Sequence, residues 1–269
     1  MADFIDFESD RKHYELGRHT HGKTLGAEPF LEHPRQRERA ILTGDALKNF
    51  LFGYDGNWVE KSPKSGTINR LSDTNCYFVN GILNTYTEAE ETAQQIANLT
   101  GVKITLVYSK TEGLIEDLIK AKNIDNQKIS TQATLQIAEF LKKDLNRNKS
   151  VVIMAHSRGA AVVRMAVEGL RITEKQGKRL TVITFGGYAL PAENWRTPAN
   201  VISFVNAADP VPKLKSPIIY PEFPNLSKHG MNAYLGWIPI FQRLQAKTNK
   251  PFTGKITIHS SFIEQFLEY

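Results

Sequence analysis

An α/β domain, with a mostly parallel central sheet and helices on both faces, is the fold class that this sequence predicts. Three observations predict it. From Asn75 onward short apolar runs alternate with segments of helical periodicity, the pattern of strands joined by crossover helices. Some of these runs, VVIMA (Val151–Ala155) among them, are continuously apolar, as strands buried on both faces are. The Val151 run also breaks at Ala155-His156-Ser157-Arg158-Gly159 and resumes as a small-residue helix. A chain of 269 residues with 41% hydrophobic residues can bury the core such a domain needs.

In chain order, residues 1–70 differ in texture from the rest, with basic and histidine clusters (RKHYELGRHTHGK, HPRQRER) and little apolar periodicity. They are read as an N-terminal basic extension packed on a main domain of residues 71–269. One helix is expected in it, around Arg37–Phe52, with Ala40, Ile41, Leu42, Ala46, Leu47 and Phe50 as its apolar stripe. His13, His19, His21 and His33 lack ligand spacing and are read as solvent-exposed.

Cys76–Val79 is the first expected strand, breaking at Asn80-Gly81. Thr87–Leu99 is a helix with Thr87 as N-cap, Glu88, Glu90 and Glu91 in its first turns and Ala93, Ile96 and Ala97 facing inward; Gly101 ends it. The β-branched alternation of Val102–Tyr108 predicts a strand. Leu114–Lys122 and Ser130–Leu145 are helical, the second with Ile137, Phe140, Leu141 and Leu145 on one face. The strand Val151–Ala155 leads into a helix over Gly159–Leu170. Leu180–Phe185 and Val201–Val205, bounded by Gly, Pro or Asn, are central strands. Lys255–Ile258 is a last short strand, and Ser261–Tyr269 a closing helix.

Composition narrows the function classes. The net charge of +6 arises from 34 basic residues interspersed with 28 acidic ones, and no zinc-finger, RRM or helix-turn-helix pattern accompanies it, so no nucleic-acid partner is expected. The single cysteine, Cys76, lies in an apolar run; it excludes an intramolecular disulfide framework and a cysteine-based metal cluster, and reads as a buried structural thiol. MADFIDFESD opens acidic without a basic-then-apolar segment, and no apolar run has membrane-spanning length. A cytoplasmic location without Sec export is the expectation, with leaderless export left open.

The chemistry starts at Ser157. A strand that stops at a serine with small residues two positions to either side, and then becomes a helix, has the form of the nucleophile elbow of the α/β-hydrolase fold. The turn is so tight that side chains at positions 155 and 159 must be small. Serine needs a base, and the base needs an orienting group. That fold supplies them in the order Ser, acid, His. Here Asp209 follows the strand VISFV, and His259 follows the last strand. His229, in a Pro-rich loop, is the competing base; His259 is preferred because it ends a strand directly before a helix. His156 is read as packing. The oxyanion hole is expected from the Arg158 amide and a second amide, of Ile82 or Gly81, in the loop after the first strand. Between acid and base lies GMNAYLGWIPIFQRL (Gly230–Leu244), whose Trp237, Tyr234 and Ile238 are candidate acyl-binding residues, with core packing as the alternative.

AHSRGA, TFGGYALP (Thr184–Pro191), NAADPVPKL (Asn206–Leu214) and a late His259 together resemble the lipase class 3 branch of the serine α/β-hydrolases. The resemblance spans about Asn75–Tyr269 and implies that Ser157, Asp209 and His259 form the triad. The chain departs from that pattern in having Ala155 for the usual glycine and Gly187 where a proline is often found. Hydrolysis of a carboxylic ester follows as the expectation, of a lipid or another acyl ester, with no metal or organic cofactor. A lipid or membrane surface is a conceivable partner. The alternatives are a thioesterase or amidase of the same fold, or a non-catalytic binding relative. A histidine base must be neutral to act, which predicts activity falling below about pH 6 to 7.

Overall fold

In a computed structural model, which describes residues 53–64, 73–82, 84–110, 130–187, 192–206, 209, 230–239 and 253–259, seven strands form one sheet. They are β1 (Trp58–Lys61), β2 (Thr74–Val79), β3 (Ile104–Val107), β4 (Ser150–His156), β5 (Leu180–Phe185), β6 (Asn200–Val205) and β7 (Lys255–His259). The spatial order is β1-β3-β2-β4-β5-β6-β7. Only β1 runs antiparallel to its neighbour; the rest of the sheet is parallel. Five helices accompany the described strands: α1 (Tyr86–Thr100), α2 (Gln132–Asn146), α3 (Arg158–Gly169), α4 (Glu174–Gly177) and α5 (Asn232–Leu235). This is the α/β-hydrolase architecture that the sequence predicts.

Strand alternation divides the interior into two cores. Tyr77 and Val79 of β2, with Val151, Ile153 and Ala155 of β4, pack against Ile137, Leu141 and Leu145 of α2 and Val162, Val163 and Ala166 of α3. Cys76 and Phe78, with Met154, face the other way, against Ala89, Ala93 and Ile96 of α1 and Tyr234 of α5. Because successive side chains point to opposite faces, a strand between two helical layers is mostly apolar on both faces. β6 has all six residues buried, and its two polar side chains are hydrogen-bonded: Ser203 Oγ accepts from the Thr184 hydroxyl at 2.9 Å and Asn200 Oδ1 from the Gly254 amide at 2.9 Å.

Cys76 is buried, and burial pushes its thiol up to about 11. Only the thiolate is nucleophilic, so the native protein is expected to resist iodoacetamide at pH 8 and to be modified once unfolded in denaturant, as mass spectrometry would read. Alkylation at equal rates in both states would contradict this placement.

Three details differ from the expectation. The sheet begins at β1, inside the stretch that the sequence assigns to the extension. As a half-exposed edge strand of sequence WVEK, β1 lacks the apolar alternation by which strands are found. The N-cap of α1 is Thr85, not Thr87: its hydroxyl accepts from the Glu88 amide at 3.2 Å, and the Glu88 carboxylate accepts from the Thr85 amide at 2.8 Å. Both threonines stand three residues before a glutamate. Helix begins at the earlier one, and Tyr86 is thereby buried at 3% exposure. Finally, His259 is the last residue of β7 rather than the residue after it. The predicted helices at 37–52, 114–122 and 261–269, the histidines of the extension, and His229 lie outside the described residues.

Candidate active site

Ser157 stands at the carboxyl end of β4 and caps α3 directly after it. Its backbone has φ 53° and ψ −123°, a region that L residues seldom occupy. The bend is tied into the sheet, since the Ser157 amide donates to the Phe185 carbonyl of β5 at 3.1 Å. Gly159 shows why a small residue is required two positions on. A Cβ there would stand 2.6 Å from the Val79 carbonyl oxygen and 2.7 Å from that of Asn80. The first turn of α3 is thus pressed against the end of β2.

That contact brings the loop after β2 to the serine. Gly81 backs directly onto it: a Cβ at Gly81 would lie 2.8 Å from the Ser157 Cβ and 2.5 Å from His156 Nδ1. Gly81 and Ile82 are both buried. A clamp holds this loop. The wholly buried Asn80 side chain accepts from the Ser109 amide at 2.7 Å and donates to the carbonyls of Ser109 and Gly81, both at 2.9 Å. Arg158, 2% exposed, adds its guanidinium to the same point, donating to Ser109 Oγ at 2.7 Å and to the Lys110 carbonyl at 2.5 Å. Its backbone amide belongs to the first turn of α3, beside Ser157. Thus Arg158 and Gly81 meet at the serine, with Ile82 next along the loop, while side chains from three strand ends fix the loop's course.

Asp209 lies beyond the end of β6 and is fully buried. Its amide donates to the Asn206 carbonyl at 2.9 Å, closing a short turn. One carboxylate oxygen, Oδ2, accepts from the Tyr234 hydroxyl at 2.5 Å. Burial and the adjacent Asp209 carboxylate raise the Tyr234 phenol far above its ordinary pKa, so it stays neutral and keeps its proton to donate. Gly186, at φ 52°, passes close by; a Cβ there would overlap Asp209 Oδ2 and stand 2.8 Å from the Tyr234 hydroxyl. The first glycine of TFGGYALP is therefore needed both for its left-handed backbone and for the space it leaves to Asp209 and Tyr234.

His259 stands at the end of β7, opposite Val205 of β6, with its side chain exposed. Among the described residues no hydrogen bond joins it to Ser157 or Asp209. The three acyl-binding candidates turn inward to different degrees. Tyr234 is fully buried and Ile238 is 6% exposed, both in the α1-side core. Trp237 packs partly buried on that core, edge-on to Phe204 and Tyr234 with centroids 5.8 and 5.1 Å away. His156 is buried, its ring 6.2 Å from that of Tyr234. Two features escaped the sequence reading. The clamp at Ser109 joins residues 29 and 49 positions apart, and the Tyr234–Asp209 bond spans 25, so neither leaves a local signal. The described residues contain no group of three or more potential ligands for a metal ion. None of their helices is long and apolar enough to cross a membrane.

Three solved structures resemble this one at low identity. A Trichoderma reesei cutinase in complex with a phosphonate inhibitor is 16% identical over 87% of this chain and 94% of its own, with a TM-score of 0.44. A Bacillus licheniformis lipase is 12% identical over 57% of this chain and 73% of its own, at 0.35. A Silicibacter protein described as a thioesterase is 14% identical over 57% of this chain, at 0.35, and the chain spans 63% of that protein's length. No curated protein matches the sequence. The sequence profile of the lipase (class 3) family matches residues 55–218, a stretch containing the elbow, the loop after β2 and Asp209, with His259 and the Tyr234–Ile238 segment beyond it. That match covers more than half of the sequence, and the chain belongs to the lipase (class 3) family.

Proposed function

We propose that this protein is a serine hydrolase that cleaves carboxylic esters, of a lipid or another acyl substrate, through a Ser157–His259–Asp209 triad. The observation that carries the reading is the Ser157 backbone at φ 53° and ψ −123°, strained at a strand-to-helix break. Strain at an exceptional backbone angle is retained where the surroundings enforce it, and aiming a nucleophile is a use for it. The positions of His259 opposite Val205 and of Asp209 shortly after that residue support the rest, because both belong to the same end of the sheet. Catalytic hydrogen bonds are often long or unformed without substrate and tighten in the complex.

In this reaction Ser157 Oγ attacks the acyl carbonyl while His259 takes the hydroxyl proton. The carbonyl oxygen, now negative, is met by the amide of Arg158 and that of Gly81 or Ile82. Collapse expels the alcohol, which takes the proton from His259, and leaves Ser157 acylated. Water, deprotonated by the same histidine, then attacks the acyl carbonyl; collapse frees the acid as Ser157 Oγ takes that proton back from His259, restoring both. Asp209 orients the imidazole and stabilises its cationic form. The protein's own groups suffice for every step, without a metal or organic cofactor.

Reaction with a fluorophosphonate probe, followed by peptide mass spectrometry, tests this directly. The expected result is one label, on Ser157, together with turnover of nitrophenyl acyl esters above that of matched thioesters and anilides. Turnover of anilides without esters would make the protein an amidase. Absence of both labelling and turnover would leave a binding protein on a hydrolase scaffold.

A further inference from the structure

Building on the triad reading above, we propose that Tyr234 is a positioning residue for Asp209, fixing the carboxylate through its hydroxyl rather than touching substrate. The direction of the hydrogen bonds supplies the argument. The Asn206 amide can only donate, and at 3.3 Å the Tyr234 oxygen accepts from it. The phenol proton is left to point at Asp209 Oδ2, the partner at 2.5 Å. Asn206 and Asp209 are the two ends of one turn, since the Asp209 amide donates to the Asn206 carbonyl. Tyr234 therefore spans the turn that carries the acid and bonds to both of its ends.

The ring cannot easily swing away. It packs between Phe185, with centroids 6.0 Å apart, Trp237 at 5.1 Å and His156 at 6.2 Å, and is itself fully buried. Gly186 closes the remaining side, where its backbone passes too near the hydroxyl to admit a side chain. A carboxylate with no exposure has lost its hydration and must be held by donors. A phenol is a suitable one: neutral at every working pH, rigid, and strong when its acceptor is charged. In this arrangement the segment between acid and base contributes to the acid's geometry and not only to an acyl site. The nearby Trp237, edge-on to the Tyr234 ring, ties that segment to the same point.

The role is tested on the full chain with Tyr234→Phe, Asp209→Asn and the double variant, using a short-chain nitrophenyl ester and, as a second readout, the rate of fluorophosphonate labelling. Tyr234→Phe is expected to lower kcat by about 10- to 100-fold, as loss of a hydrogen bond to a charged group does, with KM within about twofold of wild type. In the Asp209→Asn background the same change is expected to cost less than about twofold, because a residue acting through Asp209 has nothing left to position. Equal losses in both backgrounds would assign Tyr234 to packing alone and overturn the proposal. So would a kcat within about twofold of wild type, or a loss confined to KM. If Tyr234→Phe does not fold, 3-fluorotyrosine at position 234 keeps the shape and changes the donor strength. A kcat unmoved by that replacement overturns the proposal, and a change of twofold or more supports it. A wild type that neither labels nor turns over ester defeats the triad reading itself, an outcome distinct from an active enzyme indifferent to Tyr234.

Discussion

Replacing Ser157 with alanine is expected to abolish ester hydrolysis, lowering kcat by about 10⁴- to 10⁶-fold and eliminating fluorophosphonate labelling, while the fold survives. The size follows from the chemistry, since no other hydroxyl takes the place of an oxygen aimed from this turn. The survival follows from the structure. Ser157 makes no side-chain hydrogen bond to the helix it caps, and its amide, which alanine keeps, is what ties the elbow to β5. A companion substitution separates strain from chemistry. Ser157→Gly removes the penalty of a side chain at φ 53° and is expected to raise stability by about 1 kcal/mol while being as inactive as the alanine variant. Steady-state kinetics and urea unfolding read the two effects independently. Residual activity of either variant above about 1% of wild type would mean that Ser157 is not the nucleophile.

Gly159→Ala is expected to destabilise the protein by about 3 kcal/mol, at the upper end for overpacking, and to depress activity in whatever remains folded. The new methyl would meet two main-chain oxygens, those of Val79 and Asn80, at 2.6 and 2.7 Å. A flexible side chain could rotate away from such a contact, but these carbonyls cannot. Val79 is paired with Ala155 of β4 and with Val107 of β3, and Asn80 is held at its side chain by Ser109. Relief must come from moving α3 off the end of β2. That movement would separate the Ser157–Arg158 turn from the Gly81–Ile82 loop, the two sources of the proposed oxyanion donors. A shift in the urea midpoint equivalent to less than about 0.5 kcal/mol would show that the elbow has more room than this geometry gives it.

The two substitutions touch features of different visibility. The serine elbow could be read locally, because an apolar run, a small-residue turn and a helix follow one another without interruption. The strands could be read for a similar reason: burial between two helical layers demands mostly apolar residues on both faces, and Val151–Ala155 of β4 and the Val, Ile and Phe residues of β6 carry that demand in their composition. β1 could not, since an edge strand with one half-exposed face is under no such demand. At α1 the local signal was present twice, at Thr85 and Thr87, and helix starting at the earlier threonine buries the Tyr86 ring against Tyr108 across the strand end.

At the site, the placing of Ser157, Asp209 and His259 at strand ends could be seen from order along the chain. The partners of those residues could not. The sequence leaves the aromatic segment after Gly230 open between a binding wall and core; Tyr234 is buried in the core, and the bond from its hydroxyl to Asp209 Oδ2 belongs to neither expectation. Arg158 was expected for its amide alone, yet its buried guanidinium also helps to hold the Ser109 end of the clamp.

By itself the sequence determined the alternation of strands and helices, the strand-to-helix break at Ser157 and the places of Asp209 and His259 after or at the ends of strands, because periods of 2 and 3.6 residues and tight-turn chemistry are properties of contiguous segments. Only the tertiary structure decided which groups meet there: the Asn80 side chain with the Ser109 backbone, Arg158 with the Ser109 hydroxyl, Tyr234 with Asp209, and Gly186 against the last two. Those contacts join residues that strand order alone brings together. Strand order is set by how the two cores close around the sheet, and no single segment records it.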